Sequence, residues 1–511
     1  MKRRKAPPRL SKSRFMTGRQ CHRRLWWTVH EPDAEELAPD ASTEVVFAQG
    51  HEVGEEARRR FPGGVLVDLP HYDITGRVRQ TQAHLAGGAK VIFEASFLHR
   101  GVFVAVDVLR RTARGWQLIE VKSTTKVKDE HHADVAIQRW VAMGAGVDVE
   151  RAYLMHLNTA CRYPDLSDLF TRADLTEEAR ALERAVAKEA TAQLSMLAGK
   201  CPEVAEGTDC QKPYPCPFFD RCHDEVPAHH ISTLYRIGAA ALEQYAADGV
   251  ESVGDLDPAS VSSAIGKRQV RAVRTKRVVV EPGLEAALGK LRAPLAFLDF
   301  ETVAFAIPRY QGCKPWEMVA AQASIHVEID GEFVHYEHLA TGTDDPRLPL
   351  ASFVIEHLRE ARTILCWNAQ FERGRLTEIG NVIPKLKKPL ADVCARIVDL
   401  LPIVRDHLYH PDFNGSFSLK SVAPALVPAL GYDELAIGGG QDASAALYHL
   451  LSGKLDATAE AKARAALLEY CALDTRALAA ILAVVRKLAA QQAAKPTRAS
   501  PSTARKGRAR V

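Results

Sequence analysis

The sequence predicts an α/β protein built from two successive α/β units, and three observations predict it. At 511 residues the chain is longer than one hydrophobic core usually serves, so more than one domain is expected. From residue 1 to 230, runs rich in branched and aromatic residues, "VIFEASFL", "GVFVAVDVL" and "WQLIEVKS", alternate with helical patterns, as an α/β layer does. A second alternation opens at "APLAFLDFET" and closes on the helix-like "AKARAALLEYCALDTRALAAILAVVRKLAA".

The expected order is therefore a first α/β domain over 1–230, ending in a Pro/Cys-rich knot; a helical connector over 231–290; a second α/β domain over 291–490; and a polar, basic tail over 491–511, expected to be disordered. The connector's "ISTLYRIGAAALEQYAADGVESVGDL" reads as two short helical patterns around a Gly-containing turn. It is loosely like a helix-hairpin-helix, which grips DNA backbone through turn amides, but lacks paired glycines, and a plain helical linker is the alternative.

Composition places the chain among ordinary globular proteins, with 47% apolar and 25% charged residues. No run approaches the ~20 apolar residues of a bilayer-spanning helix, and "MKRRKAPPRLSKSR" is not followed by an apolar signal core. No membrane partner and a cytoplasmic location are the expectations. A net charge of +4 gives no global basic field. The cationic runs "MKRRKAPPR", "GKRQVRAVRTKR" and "ARKGRAR" suit either phosphate contact or solvated surface. Ten cysteines are too sparse for a disulfide scaffold.

"WQLIEVKS" ends on Glu120 and Lys122, two apart on a predicted strand, hence on one face. An ion pair is one explanation. A second carboxylate on the neighbouring strand, Asp107, exceeds what an ion pair needs but suits a divalent cation, which takes oxygen ligands; the lysine would then polarise an attacking water or offset phosphate charge. Asp107, a spacer of about a dozen residues, then Glu120-Val121-Lys122 resembles the PD-(D/E)XK restriction-endonuclease-like core. The resemblance implies magnesium or manganese held by Glu94, Asp107 and Glu120, catalytic assistance from Lys122, and a positioning role for Gln138, which matches the glutamine of RecB-type members. The family's early histidine has its nearest counterpart in His51.

Cys210, Cys216 and Cys222 follow at C-x5-C-x5-C intervals among prolines, and Cys21 stands near the N-terminus. This resembles the iron-sulfur clasp of RecB-like nucleases such as AddB, in which four thiolates hold a [4Fe-4S] cluster tying the ends of the domain together. The first interval departs from the C-x-x-C of those relatives, and Cys201 is a spare that could replace Cys210. Zinc on four cysteines is the competing cofactor, and reduced structural cysteines the remaining alternative.

In "LAFLDFETVAF", Asp299 and Glu301 again share a strand face, and two carboxylates held together favour a cation between them. "TILCWNAQFERGRL" passes from strand to helix with Asn368, Phe371 and Glu372, and "LEYCALDTRAL" puts Tyr470 and Asp474 four apart on one helical face. The set resembles the DEDD exonucleases of the ribonuclease H-like fold. It implies Asp299, Glu301 and Asp474 as metal ligands, Tyr470 as the residue orienting the attacking water, and Glu372 where the family usually has aspartate. Lys420, in "NGSFSLKSVAPAL", contacts phosphate on this reading or is a solvated lysine. Two metals about 4 Å apart suit phosphodiester hydrolysis.

The order of parts resembles an uncharacterised bacterial family over nearly the whole chain, with "FLDFET", "WNAQFE" and "YCALDT" as its most specific marks. The expectation is a two-site metal-dependent nuclease, an exonuclease acting on DNA in repair, recombination or defence. The alternatives are a catalytically inactive nucleic-acid-binding scaffold and a nuclease acting on RNA.

Overall fold

The computed structural model describes residues 9–205, 207–223, 225–432 and 434–494, and the expected disordered tail lies, from residue 495 on, outside the described residues. The chain is mixed α/β, as the alternating patterns predict, and divides into two compact units. One comprises Met1–Val226, Val303–Met318 and Ser444–His449; the other comprises Pro227–Thr302, Val319–Ala443 and Leu450–Val511.

The first unit is organised on strands β1 (Leu10–Ser11), β2 (Val65–Leu66), β3 (Val91–His99), β4 (Val102–Arg111), β5 (Trp116–Lys122), β6 (Val149–Leu157) and β7 (Phe170–Asp174). The sheet order is β2-β3-β4-β5-β6-β7, with β1 parallel to the start of β4. Branched and aromatic side chains fill both faces of β3, β4 and β5, which suits strands buried on both sides. β5 and β6 pair in parallel, so the chain between them crosses over through the helix Asp129–Gly144. That helix buries Ile137 and Val141 in the core with Ile92, Leu109, Leu118 and Leu154. The sheet thus fixes one side of the helix, and Asp134 and Gln138, one turn apart, follow on an adjoining side.

β5 pairs with β4 only over Val108–Arg111, whereas β1 pairs with Val102 and Phe103. Beyond the level where β5 separates from β4, the first described residues therefore run beside β4. This is how Lys12, immediately after β1, arrives beside the end of β5.

The second unit contains β8 (Val279–Val280), most of β9 (Leu295–Ala304) and of β10 (Met318–Ile329), β11 (Glu332–Leu339), β12 (Thr363–Cys366), β13 (Ile397–Asp399) and β14 (Leu408–Tyr409). Five of these form a sheet in the order β11-β10-β9-β12-β13, with β12 parallel to both β9 and β13. β10 and β11 are joined by Asp330-Gly331, both at positive φ, as a tight hairpin turn requires. Leu298 and Phe300 of β9 enter the core with Ile364 and Leu376, which leaves Asp299 and Glu301 on the other face. The helix Ala457–Ala493 contains neither Gly nor Pro and is capped by the Asp456 side chain accepting from the Ala459 N–H, so its 37 residues run without a break.

The stretch expected as a connector falls in the second unit and has a small core of its own, including Ile231, Leu234, Val253 and Val270. Its first helical pattern forms the helix Ala239–Ala247, while the second gives only the single 3-10 turn Val253–Asp255. Gly249 at φ 70° ends the first, and Pro258 three residues past the turn prevents a continuous helix. Among the described residues no helix is long and apolar enough to cross a membrane.

Candidate functional site

In the first unit, the β4–β5 ladder stops at Val108↔Ile119, just before Asp107 and Glu120. A side chain takes over there: the Val121 N–H donates to Asp107 Oδ2 at 2.6 Å. The β3–β4 ladder skips the same level, passing from Phe93↔Val108 to Ala95↔Val106. Between them Glu94 has φ 56°, a left-handed conformation that a non-glycine residue holds only when its surroundings impose it. Glu94, Asp107 and Glu120 thus occupy one level of the sheet, where regular pairing lapses.

Glu120 is 1% exposed, and both its oxygens are occupied. Oε1 receives Lys12 Nζ at 2.5 Å and Lys122 Nζ at 2.7 Å, and Oε2 receives Gln138 Nε2 at 2.7 Å. Asp134 accepts Lys122 Nζ at 2.6 Å and Gln138 Nε2 at 2.9 Å, with Lys12 Nζ at 3.7 Å. The Glu-x-Lys end of β5 is tolerated because each buried charge meets an opposite one. Burial alone would raise the Glu120 pKa, but the two ammoniums outweigh it and hold the carboxyl far below the usual range. Asp107 goes the other way: burial, then Glu120 and Glu94, push it well up against the opposing pull of Lys12. Glu94 pairs with the buried Arg77 at 3.3 Å. His51 is exposed on the helix Ala41–Arg59.

The distant cysteine Cys21 caps the helix His22–His30, its Sγ accepting from the Arg24 N–H, and Arg23 on that helix reaches Cys222 Sγ at 3.7 Å. The Gln20 amide holds the cysteine loop by donating to the carbonyls of Asp209 and Tyr214 at 2.8 and 2.7 Å. Cys216 lies within electrostatic reach of Cys21 and Cys222, as does Cys201. Cys210 is tied to Cys216 through the backbone, its carbonyl accepting the Cys216 N–H at 2.8 Å. All are free thiols. Burial pushes the Cys216 and Cys201 thiols up.

Among the described residues, one group of His, Cys, Asp or Glu brings three ligand atoms within 4.8 Å of one another: Asp299, Glu301 and Asp474. Neither the three acids of the first unit nor any three of the cysteines converge so closely. The second-unit group is built beyond the C-terminal end of β12, where its parallel pairing with β9 has stopped, a position at which open α/β sheets place their ligands. Asp299 and Glu301 come from the middle of β9, just past its parallel pairing with β12, and Asp474 comes from the long closing helix.

These carboxylates repel one another in a buried setting. Burial first, and then Asp474, Glu301 and Glu372, drive Asp299 well above the usual range. Burial and Asp474 push Glu301 up to about 8, with Lys420 opposing. Asp474 rises to about 6 through burial, restrained by hydrogen bonds from Tyr432 and Tyr470 and by Lys420. Tyr432 Oη donates to Asp474 Oδ1 at 2.7 Å. The Lys420 ammonium lies 5.7 and 5.4 Å from the ring centroids of Tyr432 and Tyr470 and bonds the Gly438 carbonyl.

Glu372 stands in the first turn of the helix Gln370–Val382 and is not one of the three convergent acids. Its Oε2 is buried without a hydrogen-bond partner, and burial pushes its carboxyl up to about 8, with Asp399 adding repulsion. The turn before it is held by Asp399, whose oxygens accept the N–H groups of Asn368 and Ala369, both at 3.1 Å, and of Leu401 at 3.0 Å. Asp399 replaces the side-chain cap that Ala369 cannot supply, and Asn368 takes the left-handed turn at φ 69°.

The sequence reading did not single out Lys12, Asp134, Tyr432 or Asp399. Asp134 was legible, being four residues before Gln138 on one helical face, and Asp399 at the end of "RIVD" is a strand-ending acid. Lys12 and Tyr432 reach their sites from 108 and 42 residues away in the chain, and no local pattern marks them.

A family model for a domain of unknown function (DUF2779) matches residues 296–418, a span that includes Asp299, Glu301, Glu372 and Asp399 and stops before Tyr470 and Asp474. No curated protein matches the chain.

Proposed function

We propose that the chain is a metal-dependent nuclease with two active sites: a PD-(D/E)XK-type site in the first unit and a ribonuclease H-like, DEDD-type site in the second, acting on DNA. The observation that carries this reading is the convergence of Asp299, Glu301 and Asp474 within 4.8 Å. Carboxylates so placed and so buried raise one another's pKa, a repulsion that a divalent cation relieves. The orphaned Oε2 of Glu372 beside them supports the same reading.

In the second unit Asp299, Glu301 and Asp474 would hold magnesium or manganese, with Glu372 reaching in on an arm one methylene longer than aspartate. When bound, such ions supply an activated water and stabilise charge on the phosphate and the leaving oxygen. Tyr432 and Tyr470 fix the orientation of Asp474 by hydrogen bonds, and on this reading Tyr470 would orient the attacking water. Lys420 offers positive charge to a phosphate. In the first unit Asp107 and Glu120, with Glu94, would be the ligand set. Lys122 would assist the attacking water, and Gln138 holds Glu120 in place.

A structural [4Fe-4S] cluster on Cys21, Cys210, Cys216 and Cys222, or with Cys201 in place of Cys210, belongs to the same reading, supported by the mutual electrostatic reach of Cys21, Cys201, Cys216 and Cys222. A brown protein absorbing at about 400 nm is the expected outcome, and a colourless protein containing zinc refutes the cluster.

A second reading, in which the first unit binds nucleic acid without cutting it, is favoured by the saturation of Glu120 by Lys12, Lys122 and Gln138. The experiment that decides is degradation of labelled single-stranded and tailed DNA, and of RNA, in manganese. Lys122→Ala and Asp299→Ala should each remove a separable part of the activity. A wild type that binds but cuts neither polymer refutes the nuclease reading.

A further inference from the structure

The chemistry proposed for the first unit does not use Lys12. Its ammonium nevertheless sits deeper among the carboxylates than a surface lysine would, 2.5 Å from Glu120 Oε1 and 3.7 Å from Asp134 Oδ1, with its side chain only 23% exposed. Asp107 attracts it as well. We propose that Lys12 is the resident counter-cation of the first-unit carboxylates, and that a divalent ion has to displace it to bind there.

Three features carry this inference, which rests on the metal-dependent reading of that site. The ring Lys12–Glu120–Lys122–Asp134 has two positive and two negative members and is neutral as it stands. With Asp107 ionised as its ligand and Glu94 offset by Arg77, a divalent ion still leaves one uncompensated positive charge in a buried place unless one ammonium withdraws. Glu120 Oε1 already takes two ammoniums, which fills both its lone pairs, so an ion can take that oxygen only by replacing Lys12 or Lys122. Of the donors to Glu120, Lys122 belongs to a seven-residue strand and Gln138 to a 16-residue helix packed in the core. Lys12 follows a strand of two residues and opens its helix with a flexible four-carbon stem, so it is the one free to leave.

The probe is manganese alone, titrated into the full chain carrying Asp299→Asn and Asp474→Asn, with free ion read by electron paramagnetic resonance. Adding Lys12→Met should tighten binding at least tenfold, because a unit charge within about 4 Å of the ion is removed; adding Lys12→Arg should leave it as weak as in the parent. Should Lys12→Met fail to fold by circular dichroism, Lys12→Gln keeps a donor for Glu120, loses only the charge, and must tighten binding likewise. Unchanged or weaker binding in the neutral variants, with the parent still binding, overturns the displacement and leaves the metal reading standing. If no variant binds manganese, both fall together.

Discussion

Replacing Glu301 with glutamine should stabilise the chelated protein and weaken its response to manganese. Glu301 is 8% exposed, and burial and Asp474 push its carboxyl from 4.5 up to about 8. Between those values the unfolded chain has released a proton that the folded chain retains, so stability falls as pH rises across the interval. At pH 7 the linkage amounts to roughly 3 kcal/mol for a group acting alone. Because Asp474 shares the repulsion, and glutamine does not reproduce every contact, a realised gain of about 1–3 kcal/mol is expected, or a few degrees in Tm for a unit of this size. The assay is thermal unfolding of wild type and Glu301→Gln in chelator at pH 5, 6, 7 and 8. The advantage of the variant should be small at pH 5 and grow toward pH 8, whereas manganese at a hundred times its Kd should raise the wild type by about 3 kcal/mol and the variant by less. A variant less stable than wild type in chelator at pH 8, or an advantage that shrinks as pH rises, refutes the reasoning.

Asp134→Asn leaves two ammoniums facing the single carboxylate of Glu120 and should destabilise the first unit by about 3 kcal/mol in urea unfolding, the cost of breaking a buried ion pair. Asp399→Ala removes the acceptor for three backbone N–H groups and should cost about 2 kcal/mol, with manganese affinity of the second unit falling as the turn before Glu372 loosens; calorimetric titration checks the second part. Tyr432→Phe deletes the 2.7 Å bond to Asp474 and should weaken manganese binding several-fold without abolishing it, since the three carboxylates remain. Loss of all binding in that variant would give the hydroxyl a larger part than orienting Asp474.

Much of the secondary structure was legible because its causes are local. Branched and aromatic runs gave β3, β4, β5 and β9, and the glycine-free, alanine-rich closing segment gave one long helix. The connector was read less well: the second pattern in "VESVGDL" has helical spacing but too few residues before Pro258 to nucleate a helix, and it closes a single 3-10 turn. Pairs on one element, Glu120 with Lys122, Asp299 with Glu301 and Tyr470 with Asp474, were also legible, since strand and helix periodicity fix which side chains share a face.

By itself, the sequence determined which residues bear charge on which face of which strand, and so where buried acids had to find partners. The tertiary structure alone decided who those partners are. Asp299 and Glu301 meet Asp474 because the closing helix lies on their face of β9, and Lys420 opposes the charge these three carboxylates concentrate there. Glu120 meets Lys12 because a two-residue strand runs beside β4 beyond its pairing with β5. Electrostatic compensation is a condition on distances between residues remote in the chain, and local spacing carries no information about those distances.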